Sequence, residues 1–265
     1  MCQCDFSDPR QANALHNSFN RDGYVVVPSF FSKDMLGPHI TLVSDNLDPL
    51  VGPVEFESDV GYPGAPTSRT SRGGATPRRL LNAIQRGDLA DLATHGSVKL
   101  VLSSLLKTDR LFVSQNHHNC VMTKYPGFSS STQWHQDIRY WSFERPELIS
   151  MWIALGRENE ENGALRVIPG SHRLEFQREQ FDSELFFRKD DEKNIKLLSS
   201  EKVVRLEPGD VLFFHSRLLH AANKNTTKKI KLSVVYTYYS ADNPPIAGTR
   251  SATHALKRPF TFGAI

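Results

Sequence analysis

Two neighbouring stretches decide the fold class: Leu148-Ile149-Ser150-Met151-Trp152-Ile153-Ala154-Leu155, and Glu161-Asn162-Gly163-Ala164-Leu165-Arg166-Val167-Ile168-Pro169-Gly170. Each carries an apolar run of strand length bounded by turn formers, too short for a buried helix. Asn162-Gly163 is the dipeptide of a tight hairpin, and Pro169-Gly170 marks a sharp turn. The same texture extends in both directions. Short β-type runs at 111–114, 119–125, 132–137, 148–155, 164–168, 203–206, 211–214 and 230–239 follow one another, with Pro208-Gly209-Asp210 as a further turn. About eight such strands predict an antiparallel jelly-roll, the cupin-like double-stranded β-helix, over 110–240. A charged insert at 173–200, with Lys189-Asp190-Asp191-Glu192-Lys193, reads as an excursion containing some helix.

Upstream the period changes. Ala12, Leu15 and Phe19 recur at helical spacing between Pro9 and Asn20, Tyr24-Val25-Val26-Val27 is a strand ended by Pro28, and Ser32 is the N-cap of a helix from Lys33 to about Leu47. Residues 49–77 are crowded with Gly and Pro and predict a long mouth loop without regular elements. Two helices are expected between Pro77 and Leu106, broken near His95-Gly96, with Leu80, Leu81, Ile84 and then Val98, Val101, Leu102, Leu105 on their apolar faces. The chain thus reads as one domain, 1–265, in which a helical part to about residue 108 packs on one side of a β-rich core.

Composition narrows the function classes. With 39% hydrophobic and 10% aromatic residues in 265, the chain can bury a core of its own. Its 32 basic and 29 acidic residues leave a charge of +3, too small and dispersed for nucleic acid to be the expected partner. Cys2, Cys4 and Cys120 form no zinc-type spacing and point to a reducing, cytoplasmic setting. The first 25 residues lack a basic-then-apolar leader, and no apolar run reaches the roughly 18 residues of a membrane span, so no membrane role is expected.

The candidate chemistry lies in His135-Gln136-Asp137. On a strand, residues two apart share a face, so an imidazole and a carboxylate project together. His220 in Gly209-Asp210-Val211-Leu212-Phe213-Phe214-His215-Ser216-Arg217-Leu218-Leu219-His220 is the candidate third ligand. Two imidazoles and one carboxylate leave open positions on a metal, as non-haem Fe(II) oxygenases require, although zinc accepts the same donors. His215 and His172 read as structural, and His117 and His118 cannot both face inward from one strand.

Taken in order, Asp22-Gly23-Tyr24-Val25-Val26, Trp134-His135-Gln136-Asp137, Trp152-Ile153-Ala154-Leu155, Glu161-Asn162-Gly163-Ala164-Leu165, Val167-Ile168-Pro169-Gly170-Ser171-His172, Pro208-Gly209-Asp210 and His220 resemble the phytanoyl-CoA dioxygenase family of the Fe(II)/2-oxoglutarate oxygenases. The resemblance spans about residues 20–240. It implies His135, Asp137 and His220 as catalytic iron ligands, Fe(II) as metal, and 2-oxoglutarate and O2 as cosubstrates. The implied reaction is hydroxylation of an unactivated C–H bond of a small metabolite with release of succinate and CO2. Because related halogenases carry a small residue in place of the carboxylate, Asp137 implies hydroxylation or a related oxidation. The family's basic partner for the far carboxylate of 2-oxoglutarate falls on Lys229, with Lys231, of the same strand parity, as the second choice. Lysine offers a point charge where arginine would offer a fork. Trp152 and Arg79 resemble further cosubstrate-side residues, Arg79 opening the first helix after Pro77, and Ala222 lacks the polar group expected two residues after the distal histidine.

Arg69, Arg72, Arg78 and Arg79 flank the mouth loop and suit an anionic substrate. Two alternatives stay open: a cupin-like metal enzyme that does not use 2-oxoglutarate, and a catalytically silent binding module.

Overall fold

The computed structural model describes residues 8–253 and 262–263, so Cys2 and Cys4 lie outside the described residues. Helix α1 (Pro9–Asp22) starts on Asp8, whose carboxylate accepts from the Arg10 amide, and stops at Gly23, which adopts φ +80° and returns its N–H to Phe19 O. Strand β1 (Tyr24–Val27) leads to α2 (Lys33–Leu47), capped by the Ser32 hydroxyl. The mouth segment contains β2 (Val54–Phe56), and β3 (Pro77–Leu81) follows it. Helices α3 (Leu89–Thr94) and α4 (Gly96–Leu106) meet at His95, where the break was expected.

The β-rich part comprises β4 (Leu111–Val113), β5 (Asn119–Lys124), β6 (Thr132–His135), β7 (Leu148–Ala154), β8 (Leu165–Val167), β9 (Lys202–Val203), β10 (Val211–His215), β11 (His220–Ala222) and β12 (Lys231–Ser240). Helix α5 (Glu192–Leu198) lies in the insert and α6 (Arg250–Thr253) comes last. The larger sheet runs β1-β10-β7-β12-β5-β3-β2, with β4 on the end of β12; the smaller runs β6-β11-β8-β9. This is the predicted double-stranded β-helix, as two facing antiparallel sheets that do not close into a continuous barrel.

Alternation along the strands builds two cores. Val211 and Phe213 of β10, Met151 and Ile153 of β7, and Val234, Tyr236 and Tyr238 of β12 face outward and bury Leu15, Phe19, Leu36, Leu89 and Leu102 of the helices. Tyr236 and Tyr238 donate their hydroxyls to Leu89 O and Ala93 O, tying α3 to the sheet at about 1 kcal/mol per bond. Leu212, Phe214, Trp152, Ala154 and Val235 face inward, against Leu165, Val167 and Ala222 of the smaller sheet.

Three sequence expectations are corrected. Residues 77–81 form β3, because Arg79, Leu80 and Leu81 pair with Met122, Val121 and Cys120 of β5; β-pairing overrides the helical spacing of the leucines. Arg79 therefore lies on a strand and does not open a helix. Asn162-Gly163 makes a turn but no hairpin, since β7 and β8 belong to different sheets. Residues 49–77, expected to lack regular elements, contain β2, whose Val54 and Glu55 pair with Leu80 and Arg79 of β3. The insert at 173–200 covers the back of the smaller sheet, where Phe176, Phe181, Leu197 and Leu198 pack on Trp134 and Ile168.

A pair of glycines separates steric cost from backbone cost. Gly209 has φ +94°, and a Cβ there would lie 2.2 Å from Phe31 O; Gly127 has φ +74° with open space around it. Gly127→Ala is expected to cost about 1 kcal/mol and Gly209→Ala about 2–3 kcal/mol or more, read from urea midpoints at constant slope.

Candidate active site

Strands β6 and β11 of the smaller sheet place His135 and His220 directly opposite each other, with ring centroids 4.3 Å apart. The strand ends at His135, and Asp137 begins a 3-10 turn, Asp137–Tyr140, that carries its carboxylate back between the two rings. Both Nε2 atoms stand 3.4 Å from the same oxygen, Asp137 Oδ1. His135 Nδ1 lies 2.8 Å from Gln133 O and His220 Nδ1 3.0 Å from Leu218 O. Those carbonyls fix the protons on Nδ1 and leave the Nε2 lone pairs aimed at one point.

Asp137 is fully buried, yet among the described residues neither carboxylate oxygen has a hydrogen-bond partner. Burial opposes its charge, but His118, His220 and His135 around it hold the carboxyl well below its ordinary range. Burial pushes the His135 imidazole down to about 4, so it is neutral at pH 7 and can donate a lone pair. An orphaned buried carboxylate flanked by two fixed Nε2 atoms fits a divalent metal, and the donor set matches the ligands expected from the sequence.

His117 and His118 both turn toward this site, against expectation. His117 precedes β5 and adopts φ +65°, which breaks strand alternation and stacks its ring on His118 at 4.5 Å. His118 Nδ1 lies 3.4 Å from Asp137 Oδ2 and 3.2 Å from Ser150 Oγ. The two carboxylate oxygens are thus divided, Oδ1 toward His135 and His220, Oδ2 toward His118.

The larger sheet supplies the opposite wall. Lys231, the first residue of β12, is buried; Lys229 is exposed in the preceding turn, where its carbonyl accepts from Asn225 Nδ2 and its N–H donates to Thr227 Oγ1. Lys229 and Lys231 share parity in the sequence, but β12 begins two residues after Lys229, and Lys231 lines the cavity. Its Nζ donates to Glu158 Oε2 at 2.9 Å and lies 4.8 Å from the Trp152 ring centroid, while Trp152 Nε1 and Ser233 Oγ donate to Glu158 Oε1. Glu158 sits after a turn as Gly156-Arg157-Glu158, and nothing in that string marks it as buried. Lys231 also faces Lys124 across the strand pair β12–β5, and Lys124 is buried and donates to Ser130 O and Asn223 O. Arg78 and Arg79 complete the lining; Arg78 is buried against Glu57, and Arg79 Nε lies 3.4 Å from Glu55.

A family model described as phytanoyl-CoA dioxygenase (PhyH) matches residues 71–233, more than half of the chain. The chain belongs to the phytanoyl-CoA dioxygenase family. Among family relatives, it is 28% identical to the ectoine dioxygenase of Sphingopyxis alaskensis over 88% of its length and 76% of that protein. It is 27% identical to human peroxisomal phytanoyl-CoA dioxygenase over 53% of its length and 45% of that protein. The crystal structure of EctD from S. alaskensis with 2-oxoglutarate and 5-hydroxyectoine superposes with a TM-score of 0.76 and 20% identity, covering 99% of this chain and 89% of that one.

Proposed function

We propose that this chain is an Fe(II)- and 2-oxoglutarate-dependent dioxygenase that hydroxylates a C–H bond of a small-molecule metabolite. The observation that carries the reading is the unpartnered, fully buried Asp137 carboxylate with His135 Nε2 and His220 Nε2 both 3.4 Å from one of its oxygens. Relatives named as ectoine dioxygenases, and a similar structure holding 2-oxoglutarate, support it. When bound, ferrous iron with 2-oxoglutarate and O2 supplies the oxidising power, and succinate and CO2 are the co-products.

The chain's own residues hold and orient. His135, Asp137 and His220 are the metal ligands in this reading. Lys231 meets the far carboxylate of 2-oxoglutarate, beside Trp152. Lys124 stands opposite Lys231 on the neighbouring strand, and burial, with the charges of Arg78 and Lys231, holds it well below the ordinary lysine range, so an anionic cosubstrate would favour its charged form. Arg79 stands at the cavity's outer end, and no nucleic-acid or membrane partner enters the reading; among the described residues no helix is long and apolar enough to cross a membrane.

Anaerobic Fe(II)-loaded protein should develop the weak metal-to-ligand charge-transfer absorption on adding 2-oxoglutarate and should release succinate when air is admitted. Absence of both would favour a metal-binding barrel without 2-oxoglutarate chemistry. His118 is expected to keep Asp137 Oδ2 from swinging into the metal position. His118→Ala should therefore weaken divalent-metal affinity by roughly 10–100-fold, with His118→Asn intermediate, as read by Co(II) titration and the Co(II) d–d spectrum. Unchanged affinity in both variants would remove His118 from that role.

A further inference from the structure

Outside the iron-side cavity lies a second, larger chamber of about 880 Å³. The two share Tyr62, Arg79, His117 and Tyr140 in their walls, so these four residues frame a neck between them. A ring nitrogen of His117 is within 4.8 Å of an Asp137 carboxylate oxygen, so the neck opens directly on the proposed metal site. Whatever fills the outer chamber is positioned to present an atom to that site.

The chamber's chemistry is selective. Its walls carry the carboxamides Asn82, Gln85, Gln115, Asn116 and Asn119, with Val60 and Leu81 the only aliphatic residues lining it among those described. Asn82 and Gln85 make no side-chain hydrogen bond among the described residues and are free to bind a ligand. A fatty acyl chain would strip water from these groups and return nothing, whereas hydroxyl, amide or amino groups would satisfy them.

Arg139 supplies a charge. Its guanidinium lies 4.1 Å from the Phe186 ring centroid and 5.1 Å from that of Tyr140, and it donates to Glu184 O. The flat face is thereby pinned, while Nη1 is buried without a hydrogen-bond partner among the described residues. Among the described residues no carboxylate pairs with Arg139, whereas Arg79 has Glu55. A half-buried guanidinium that lines the chamber, pinned on its flat face and without a counter-ion among the described residues, suits an oxyanion. The stack of His117 on Tyr140, 3.6 Å between centroids, separates it from the neck arginine Arg79, whose Nη1 lies 3.4 Å from His117 Nδ1.

We propose that the substrate is a hydrophilic metabolite bearing an oxyanion, carboxylate, phosphate or sulfate, which seats in the outer chamber with that group on Arg139. This rests on the oxygenase reading and names its substrate class. Arg139 is a substrate residue and not a cosubstrate residue, which gives the test its discriminating power.

The Fe(II)–2-oxoglutarate protein is first checked anaerobically for its charge-transfer absorption, then screened by thermal shift and by stimulated succinate release. The panel holds sugar acids, sugar phosphates, sugar sulfates and hydroxy acids, the neutral parent or amide of each, and octanoate with octanol. Tightest binding is expected within the hydrophilic oxyanions, and the three acid types distinguish the source of the charge. Arg139→Gln should weaken the best binder at least tenfold and Arg139→Lys less, with the 2-oxoglutarate titration of the absorption band unchanged in both. The proposal is overturned if neutral parents bind as tightly, if the octyl compounds bind best, if no class binds, or if Arg139→Gln shifts the 2-oxoglutarate titration instead. A wild-type protein without the band strikes the oxygenase reading itself, which is a separate outcome.

Discussion

Asp137→Ala is expected to abolish divalent-metal binding and lower 2-oxoglutarate turnover at least a thousandfold, while leaving the metal-free fold within about 1 kcal/mol of wild type. The two effects separate because Asp137 makes no hydrogen bond, so its removal strands no donor and opens no large cavity. For comparison, a ligand present at 100 times its dissociation constant stabilises by about 2.7 kcal/mol. That increment, seen as a metal-dependent rise in the unfolding midpoint, should appear in wild type and vanish in the variant. His135→Ala and His220→Ala should also lose it, at some additional cost to the fold, since each ring packs against Phe186 or Phe214 and bonds a carbonyl. A metal-dependent midpoint that persists in Asp137→Ala, or a metal-free form that collapses, would mean the carboxylate is structural.

Much of this arrangement was legible before any coordinates. Seven of the eight short runs between 111 and 239 contain strands, because alternating or continuous β-branched and aromatic residues between turn formers satisfy only a sheet in so short a length; the run 203–206 shares only Val203 with β9, and β11, which carries His220, lies outside all eight. What the string concealed was of two kinds. One was pairing: Leu80 and Leu81 sit at helical spacing with Ile84, and only the availability of a free β5 edge makes β3 of them. The other was exceptional backbone. Strand parity forbids His117 and His118 from sharing a face, and a single positive φ at His117 lifts the prohibition. Likewise, parity treats Lys229 and Lys231 alike, and the turn held by Asn225 and Thr227 removes the first from the strand. Glu158 could not have been found, since a charge in a loop string is ordinarily solvated and its burial follows from Trp152, Lys231 and Ser233 converging on it.

That buried network carries the second large effect. If Lys231 anchors the far carboxylate of 2-oxoglutarate, Lys231→Ala should raise the 2-oxoglutarate requirement by two orders of magnitude or more, whereas Lys229→Ala should stay within about twofold, because an exposed lysine contributes little at that range. The single variant has a second consequence. It leaves the buried Glu158 carboxylate without its cation, at about 3–5 kcal/mol, so loss of activity could reflect unfolding. Lys231→Met combined with Glu158→Gln removes both charges and keeps the volume, and buried ion pairs replaced in this way are often neutral or stabilising. The double variant is therefore expected to match wild type in urea, to bind Co(II) through the untouched triad, and still to give no charge-transfer absorption at 2-oxoglutarate concentrations that saturate wild type. Lys231→Arg should retain part of the affinity, limited by Glu158, which would take one edge of the guanidinium fork. A double variant that binds 2-oxoglutarate normally would move the anchor to Lys124, Arg78 or Arg79, the other buried basic residues lining the same cavity.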